Sequence, residues 1–106
     1  MSRFTQTLLI SRVPDIGIVR LSVATSEGRV DEITLVERDF KDVAAAMWEK
    51  TPHYQGGLVV RAKFKPESGY FTLSIQTGMH TRSVYRLAEH EVMPTLGQYM
   101  ADTGGE

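Results

Sequence analysis

The chain has 106 residues, 42% of them hydrophobic and 24% charged, with a formal net charge of −1, which is the composition of one ordinary globular domain. It contains no cysteine, so disulfides, thiol catalysis and cysteine-ligated metals are excluded. No apolar run approaches the roughly 18 residues of a membrane span, and the N-terminus lacks the pattern of a signal peptide. We therefore expect a cytoplasmic protein with no membrane contact.

The first half of the chain is predicted to form three strands and a helix. Alternation of apolar and polar residues predicts strands over residues 4–12, 17–25 and 30–36, separated by turn residues around Gly17 and Gly28. Apolar residues at helical spacing then predict a helix that begins near Asp39 as its N-cap and ends near Pro52. The inward residues of this half are Leu8, Ile10, Val19, Leu21, Val23, Ile33, Leu35, Phe40, Val43, Ala44 and Met47.

The second half repeats this order after a joint around Gly56 and Gly57, which is predicted to be flexible. Strands are predicted over residues 58–65, 70–76 and 81–87, and a closing helix contains Pro94 in its first turn, where proline is tolerated. Residues 103–106 are predicted to form a frayed tail. The inward residues of this half are Leu58, Val60, Ala62, Phe64, Phe71, Leu73, Ile75, Tyr85, Leu87, Val92, Leu96, Tyr99 and Met100.

The two halves align without a gap when the sequence is shifted by 52 positions. Seven of the 27 positions in 14–40 are identical to their partners in 66–92, where average residue usage gives roughly two by chance. The identical pairs include Gly17 with Gly69 and Glu37 with Glu89. The sequence therefore predicts a single α+β domain made of two β-β-β-α units, about 3–51 and 56–102. The units are expected to be related by a pseudo-twofold, with antiparallel sheets and the two helices packed together.

The junction between the third strand and the helix carries a resemblance to a known superfamily. Ile33-Thr34-Leu35 is followed by Phe40 and Val43, and Tyr85-Arg86-Leu87 by Val92 and Leu96. This pattern resembles the single-strand-binding superfamily of positive-cofactor-type transcriptional coactivators, Whirly proteins and Pur-alpha repeats, although each unit is shorter than the usual four-strand repeat and the chain is not basic. The resemblance implies two curved sheets that bind single-stranded nucleic acid through basic and aromatic side chains, without catalysis.

Strand parity places a one-sided set of cations on the second unit. The outward positions of its three strands hold five basic residues, one aromatic residue and no acid. Cations at strand spacing suit phosphates, and a flat ring suits a base. The predicted nucleic-acid-binding residues are Arg20, Arg61, Lys63, Lys65, Tyr70, Arg82 and Arg86. The alternative interpretation is a solvated sheet face whose lysines discourage edge pairing.

The corresponding face of the first unit is apolar. Leu9, Ile18 and Val36 are predicted to form a protein interface, since exposed apolar clusters often mark partner surfaces. Two further hypotheses follow. One is a phage or mobile-element inhibitor of the anti-CRISPR kind, which acts through this patch or the acidic surface of the helices; the other is a subunit that forms homo-oligomers through the apolar face.

No arrangement of residues indicates an enzyme, a cofactor or a metal site. His53, His80 and His90 lack metal-ligand spacing, and Glu37 and Glu89 suit the positive ends of helix dipoles. Trp48 is predicted to seal the contact between the two helices. The sequence leaves open whether a bound nucleic acid is DNA or RNA.

Overall fold

A computed structural model of the chain describes residues 2–103, and the side chains of residues 7–103. Within this range, seven strands and two helices follow one another as β1 (Ser2–Val13), β2 (Ile18–Thr25), β3 (Val30–Val36), α1 (Glu37–Trp48), β4 (Gln55–Gly56), β5 (Val60–Lys65), β6 (Tyr70–Gln76), β7 (Arg82–Ala88) and α2 (Glu89–Thr103). A 3-10 helix at Pro14–Ile16 links β1 to β2. The predicted α+β class and the strand-strand-strand-helix order, which occurs twice, are confirmed.

The strands form two antiparallel sheets that meet at one seam. One sheet contains β1, β2 and β3, and the other contains β4 to β7, so that the joint strand order is β3-β2-β1-β7-β6-β5-β4. The seam is a short parallel ladder in which Ser2, Arg3 and Phe4 pair with Val84, Tyr85 and Arg86. Strand β1 therefore belongs to both sheets: its first residues pair with β7, and its later residues pair with β2.

The internal repeat is visible in the strand registers. Val13 pairs with Ile18 in the first unit, and Lys65 pairs with Tyr70 in the second. Adding 52 to each residue number of the first pair gives the second pair. The same shift relates the β2–β3 ladder to the β6–β7 ladder.

The loops repeat as well. Gly17 and Gly69 adopt φ values of 68° and 73°, a region that glycine enters without steric cost. Their carbonyl oxygens accept hydrogen bonds from the first amides of the helices, Glu37 at 2.9 Å and Glu89 at 3.1 Å. The duplication thus preserves the same turn and the same loop-to-helix hydrogen bond in both units.

The helices are exchanged between the units. Helix α1 of the first unit packs mainly on β5 and β4 of the second, and α2 of the second unit packs mainly on β1 of the first. The helices also touch each other, with the rings of Phe40 and Tyr99 edge to face at a centroid distance of 5.3 Å. Because each sheet is covered mostly by the other unit's helix, the two units share one core.

Most residues expected to face inward are buried or half-buried, and Leu58 is the exception. It is 78% exposed, because the chain makes a loop there and β5 begins only at Val60. Ile10, Ile33 and Met100 pack against the core while remaining half-buried.

The helices begin at Glu37 and Glu89, where the repeat predicts helix starts, but the predicted N-cap of α1 and the predicted place of Pro94 in α2 are wrong. Helix α1 begins at Glu37, directly after β3, so that its N-cap is Val36, which makes no side-chain cap, and Asp39 lies in the first turn. Helix α2 likewise begins at Glu89, which places Pro94 inside the helix rather than in its first turn. In both units the strand passes directly into the helix, leaving no residues for a separate cap.

The end of the described chain also differs from the prediction. Thr103, expected in a frayed tail, is the last residue of α2 and is buried. Its hydroxyl donates a hydrogen bond to the carbonyl oxygen of Tyr99 at 3.0 Å. Residues 104–106 of the predicted tail lie outside the described residues.

Candidate nucleic-acid interface

The outward face of β5, β6 and β7, which we call the basic face, is arranged in cross-strand rows. Lys63 lies opposite Thr72, and Thr72 lies opposite Arg86; in the next row Lys65 lies opposite Tyr70. Residues directly opposite one another share a face of the sheet. The eleven outward positions of these strands contain no carboxylate: Arg61, Lys63, Lys65, Tyr70, Thr72, Ser74, Gln76, Arg82, Val84, Arg86 and Ala88.

Two tyrosines on this face are in contact with its cations. The Nζ atom of Lys63 lies 4.6 Å, and the Cζ atom of Arg61 5.2 Å, from the centre of the Tyr54 ring. The Cζ atom of Arg86 lies 4.9 Å from the centre of the Tyr70 ring. These are cation–π distances, so the cations are held at defined positions over aromatic rings.

Tyr54 is the site residue that the sequence analysis missed. The sequence predicts a flexible joint there, whereas the segment after Tyr54 folds back as β4, with Gln55 opposite Ala62 and Gly56 opposite Arg61. This pairing brings the preceding residue, Tyr54, over the outer face of β5. The sequence offers one signal for this placement: Tyr54 lies two residues before Gly56, the glycine that packs closely against β5.

A shallow cavity of about 360 Å³ lies on the basic face. It is lined by Tyr54, Lys63, Lys65, Thr72, Val84 and Arg86. The cavity therefore brings an aromatic ring, three cations, a hydroxyl and one apolar side chain together. Such a set can contact a phosphate, a base and a sugar at once.

Arg82 is part of the same sheet, but its guanidinium is used within the fold. It donates to Ser74 Oγ at 2.7 Å, to the Ser74 carbonyl oxygen at 3.2 Å and to the Leu58 carbonyl oxygen. Arg82 therefore anchors the loop before β5 to β6. Its guanidinium thus donates to three acceptors of the protein itself.

Arg20 lies in the other sheet. It sits on β2, between Ser11 of β1 and Thr34 of β3, three strands away from β6 in the joint order. Its position in the first unit corresponds to that of Thr72 in the second. The structure thus groups Arg61, Lys63, Lys65, Tyr70 and Arg86 with Tyr54, and places Arg20 apart from them.

The predicted apolar interface is divided. Ile18 lies directly opposite Val36, next to Val13, and these residues form one row. Leu9 lies opposite Ser22, in another row of the same face. A row that contains Arg20 separates Leu9 from the row of Ile18 and Val36. Leu9 is 62% exposed and borders a separate groove beside α2.

Trp48 is the residue predicted to seal the contact between the two helices. The Trp48 ring lies against Gly97 of α2, so closely that a Cβ atom on Gly97 would be 3.4 Å from Cζ3 of the ring. Trp48 is nevertheless 44% exposed, so it covers the contact between the helices only in part. Among residues 2–103, no three His, Asp or Glu side chains are grouped closely enough to hold a metal ion. Neither helix in that range is long and apolar enough to cross a membrane.

Comparison of the chain with models of known protein families, with curated proteins and with solved structures finds no match. The resemblance to the single-strand-binding superfamily stays a prediction. The functional argument therefore depends on the geometry of the basic face.

Proposed function

We propose that the protein binds single-stranded nucleic acid on the basic face. The observation that carries the proposal is the combination of four outward cations with two tyrosines, and no carboxylate, on one sheet surface. Phosphates are attracted by the cations, and exposed bases stack on flat side chains whatever their sequence. A duplex keeps its bases stacked inside, so it would use only the cations.

The cation–π contacts support the proposal in a second way. Lys63, Arg61 and Arg86 are already positioned over Tyr54 and Tyr70, so less side-chain entropy is lost when a phosphate binds. An arginine stacked on a ring also presents its own planar guanidinium, on which a base can stack. The face is thus prepared for a flexible, charged, aromatic ligand.

Fluorescence anisotropy with labelled oligonucleotides tests this proposal. We expect single-stranded DNA or RNA to bind more tightly than a duplex, and binding to weaken steeply as salt rises from about 50 to 200 mM, because each phosphate contact releases a counterion. Lys63→Glu should weaken binding at least tenfold and flatten the salt dependence. Tyr54→Leu should weaken single-strand binding more than duplex binding, because a base loses its stacking partner, whereas the duplex loses only the positioning of Lys63 and Arg61.

Two charge-matched variants serve as controls. Arg38→Glu makes the same change of charge on α1, away from the basic face, and should leave binding nearly unchanged. Arg20→Glu tests whether the surface extends into the first unit. Equal losses in Lys63→Glu and Arg38→Glu would show that only net charge matters and would contradict the proposed site. Flat titrations at both salt concentrations would contradict the function itself.

A protein-binding function, including inhibition by a phage or mobile-element protein, is the second candidate. It is favoured by the exposure of Leu9 and Val36 on the first unit. If oligonucleotides do not bind, this unit is the surface on which to search for a partner. Light scattering over a range of concentrations would detect self-association through the same residues.

A further inference from the structure

Thr72 of β6 is a buried polar side chain with no hydrogen-bond partner among the described residues. In the part of the chain whose side chains are described, the buried polar residues are Thr25, Thr72, Ser74 and Thr103. The hydroxyls of Thr25, Ser74 and Thr103 each take part in a hydrogen bond within the fold. Within residues 7–103 the Thr72 hydroxyl takes part in none, although only 9% of the residue is exposed. A buried polar group of this kind is usually completed by water or an ion that the chain does not itself supply.

Thr72 lies in the cavity of about 360 Å³ on the basic face, and of the described residues that line this cavity it alone is buried. Its direct neighbours across the sheet are Lys63 of β5 and Arg86 of β7, and Lys65 follows two residues along β5. Neighbouring strands are about 4.8 Å apart, so Lys63 and Arg86 start roughly 10 Å apart, with Thr72 midway between them. An anion of the size of phosphate, centred over Thr72, is then within reach of both long side chains.

The two lysines beside Thr72 are not paired with any carboxylate of the described residues. Neither Lys63 nor Lys65 makes an ion pair within residues 7–103, and Lys63 lies over the Tyr54 ring instead. Arg86, the third cation of the cavity, is likewise held over an aromatic ring. Three positive charges therefore surround one hydroxyl donor, which is an arrangement that suits an anion of more than one charge.

We propose that this cavity, which we call the Thr72 pocket, binds the terminal phosphate of a nucleic-acid single strand. The inference rests on the proposed function and specifies how an end of the strand is held. A terminal phosphate monoester carries a charge of about −1.5 to −2 at pH 7 and offers three strong acceptor oxygens. A phosphate within the strand carries a single charge and uses a further oxygen in its second ester bond. The three cations and the hydroxyl of the pocket are therefore matched better by the end of a strand than by its interior.

The rest of the strand has a path along β5. Alternate residues of a β-strand lie roughly 6.7 Å apart on the same face, so Arg61 follows Lys63 at a spacing close to that of successive phosphates. Arg61 is not among the described residues that line the pocket. The Tyr54 ring is 39% exposed and borders both the pocket and Arg61, which places it beside the first base. The pocket thus holds the terminal phosphate, and Arg61 holds the strand behind it.

Competition against one labelled single strand tests the proposal. The unlabelled competitors are about ten nucleotides long, within the usual size of a single-strand site, and differ only in a 5′-phosphate, a 3′-phosphate or hydroxyl groups at both ends. One of the phosphate-ended strands should compete at least tenfold more strongly than the hydroxyl-ended strand, and that strand identifies which end the pocket holds. Equal competition by all three would overturn the pocket and leave the proposed function in place. If no strand binds at all, the proposed function fails, and the pocket fails with it.

Variants separate the pocket from the general attraction of an added charge. Thr72→Val removes the hydroxyl at nearly constant shape and should lower the preference for the phosphate-ended strand at least tenfold, because a hydrogen bond to a charged group is lost. Thr72→Ser keeps the hydroxyl and should keep the preference. Thr34→Val makes the same change as Thr72→Val at an exposed position of β3 and should also keep it. An unchanged preference in Thr72→Val, or equal losses in Thr72→Val and Thr34→Val, would overturn the pocket.

Two changes at exposed or half-buried cations test the pocket without altering Thr72. Lys65→Gln removes one cation of the pocket and should lower the preference about two- to tenfold. Arg61→Gln lies outside the pocket and should weaken phosphate-ended and hydroxyl-ended strands by the same factor. A preference that responds to Arg61→Gln and not to Lys65→Gln would overturn the proposed place of the terminal phosphate.

Thymidine 5′-monophosphate and 3′-monophosphate test whether the ligand is a strand end or a free nucleotide. Titrated into the isotope-labelled full chain, one of them should shift the Thr72 amide resonance more than thymidine does at the same concentration. It should compete at least tenfold more weakly than the phosphate-ended strand, because it cannot reach Arg61 and the rest of the basic face. No difference between the nucleotides and thymidine at Thr72 would overturn the pocket. A mononucleotide that competes as strongly as the strand would overturn the assignment to a strand end.

Discussion

Arg12, Glu37 and Tyr99 form a charged cluster that joins three elements. Arg12 of β1 donates to both carboxylate oxygens of Glu37, from Nε at 2.6 Å and from Nη2 at 3.2 Å. Tyr99 of α2 donates to the same carboxylate at 3.2 Å. The side chains of Arg12 and Glu37 are only 17% and 12% exposed. Charged hydrogen bonds are stronger when water is largely excluded, so this cluster fixes α1 against β1 and α2.

The hydrogen bonds from Arg12 lower the pKa of Glu37 below its ordinary value of 4.5, while burial opposes the shift and Tyr99 adds to it. When folding lowers the pKa of a carboxyl group, the ionised carboxylate stabilises the fold. The full stabilisation is present at pH values above the unfolded-state pKa, and it is lost as the pH falls through the folded-state pKa. Glu37→Gln should therefore lower the free energy of unfolding by about 1–3 kcal/mol at pH 7. The difference from the unchanged chain should shrink below about pH 4.5.

The repeat offers a matched control for this prediction. Glu89 is the equivalent residue, and it pairs with Lys50 at a more exposed site. Because exposed ion pairs contribute about 0–1 kcal/mol, Glu89→Gln should have a much smaller effect. Urea unfolding at pH 7 and pH 3 measures both variants. Equal losses at Glu37 and Glu89, or a Glu37 effect that is undiminished at pH 3, would contradict this account.

At the scale of elements, β4 is a two-residue strand that depends on one glycine. Gly56 has φ of 127° and lies against the backbone of β5 and the side chain of Val43. Such a close approach leaves no room for a side chain. The same strand positions Tyr54 on the basic face, so a local requirement for glycine is connected to the candidate site.

Gly56→Ala should therefore destabilise the fold by about 1–3 kcal/mol, the usual cost of overpacking. It should also speed amide exchange at Phe64, whose amide donates to Thr51. Gly57→Ala is the matched control, because a Cβ atom there would meet nothing within 4 Å. Equal unfolding midpoints for the two variants would show that β4 is not held in this way. Gly56→Ala should also weaken oligonucleotide binding if Tyr54 contributes to it.

At the scale of the whole molecule, the exchange of helices makes the two units interdependent. Phe40 of the first unit is buried against Tyr99 of the second, and Tyr85 Oη of β7 donates to Asp31 Oδ2 of β3 at 2.7 Å. A domain of this size normally unfolds in one cooperative transition. The arrangement predicts such behaviour, because neither sheet is covered mainly by its own helix.

Phe40→Ala tests this interdependence in the full chain. It should cost about 3–5 kcal/mol and lower the amide-exchange protection of Leu21 and Leu73 by similar amounts, although these equivalent residues belong to different units. Phe40→Leu provides a milder variant should the alanine variant fail to fold. A loss confined to Leu21 would show that the units unfold separately.

The candidate site was predictable only in part from the sequence. Strand alternation was enough to place Lys63 and Arg86 on one face, because side chains of a strand alternate regardless of what the strand packs against. It could not show that Arg82 would donate to the Leu58 carbonyl oxygen, or that Tyr54 would lie over Lys63. Both contacts depend on where the chain between the units folds back, which no local periodicity encodes.

The sequence by itself determined the repeat, the order of its elements and nearly all of the buried hydrophobic residues, since these follow from alternation, helical spacing and turn residues within short windows. Only the tertiary structure decided that each helix covers the other unit's sheet, that β1 continues into a parallel ladder with β7, and that β4 pairs with the outer edge of β5. The two units differ in sequence where β1 pairs with β7 and β4 pairs with β5, since Gly56 corresponds to Phe4. Their different outcomes depend on contacts between residues far apart in the chain, and those contacts form only when the whole core packs together.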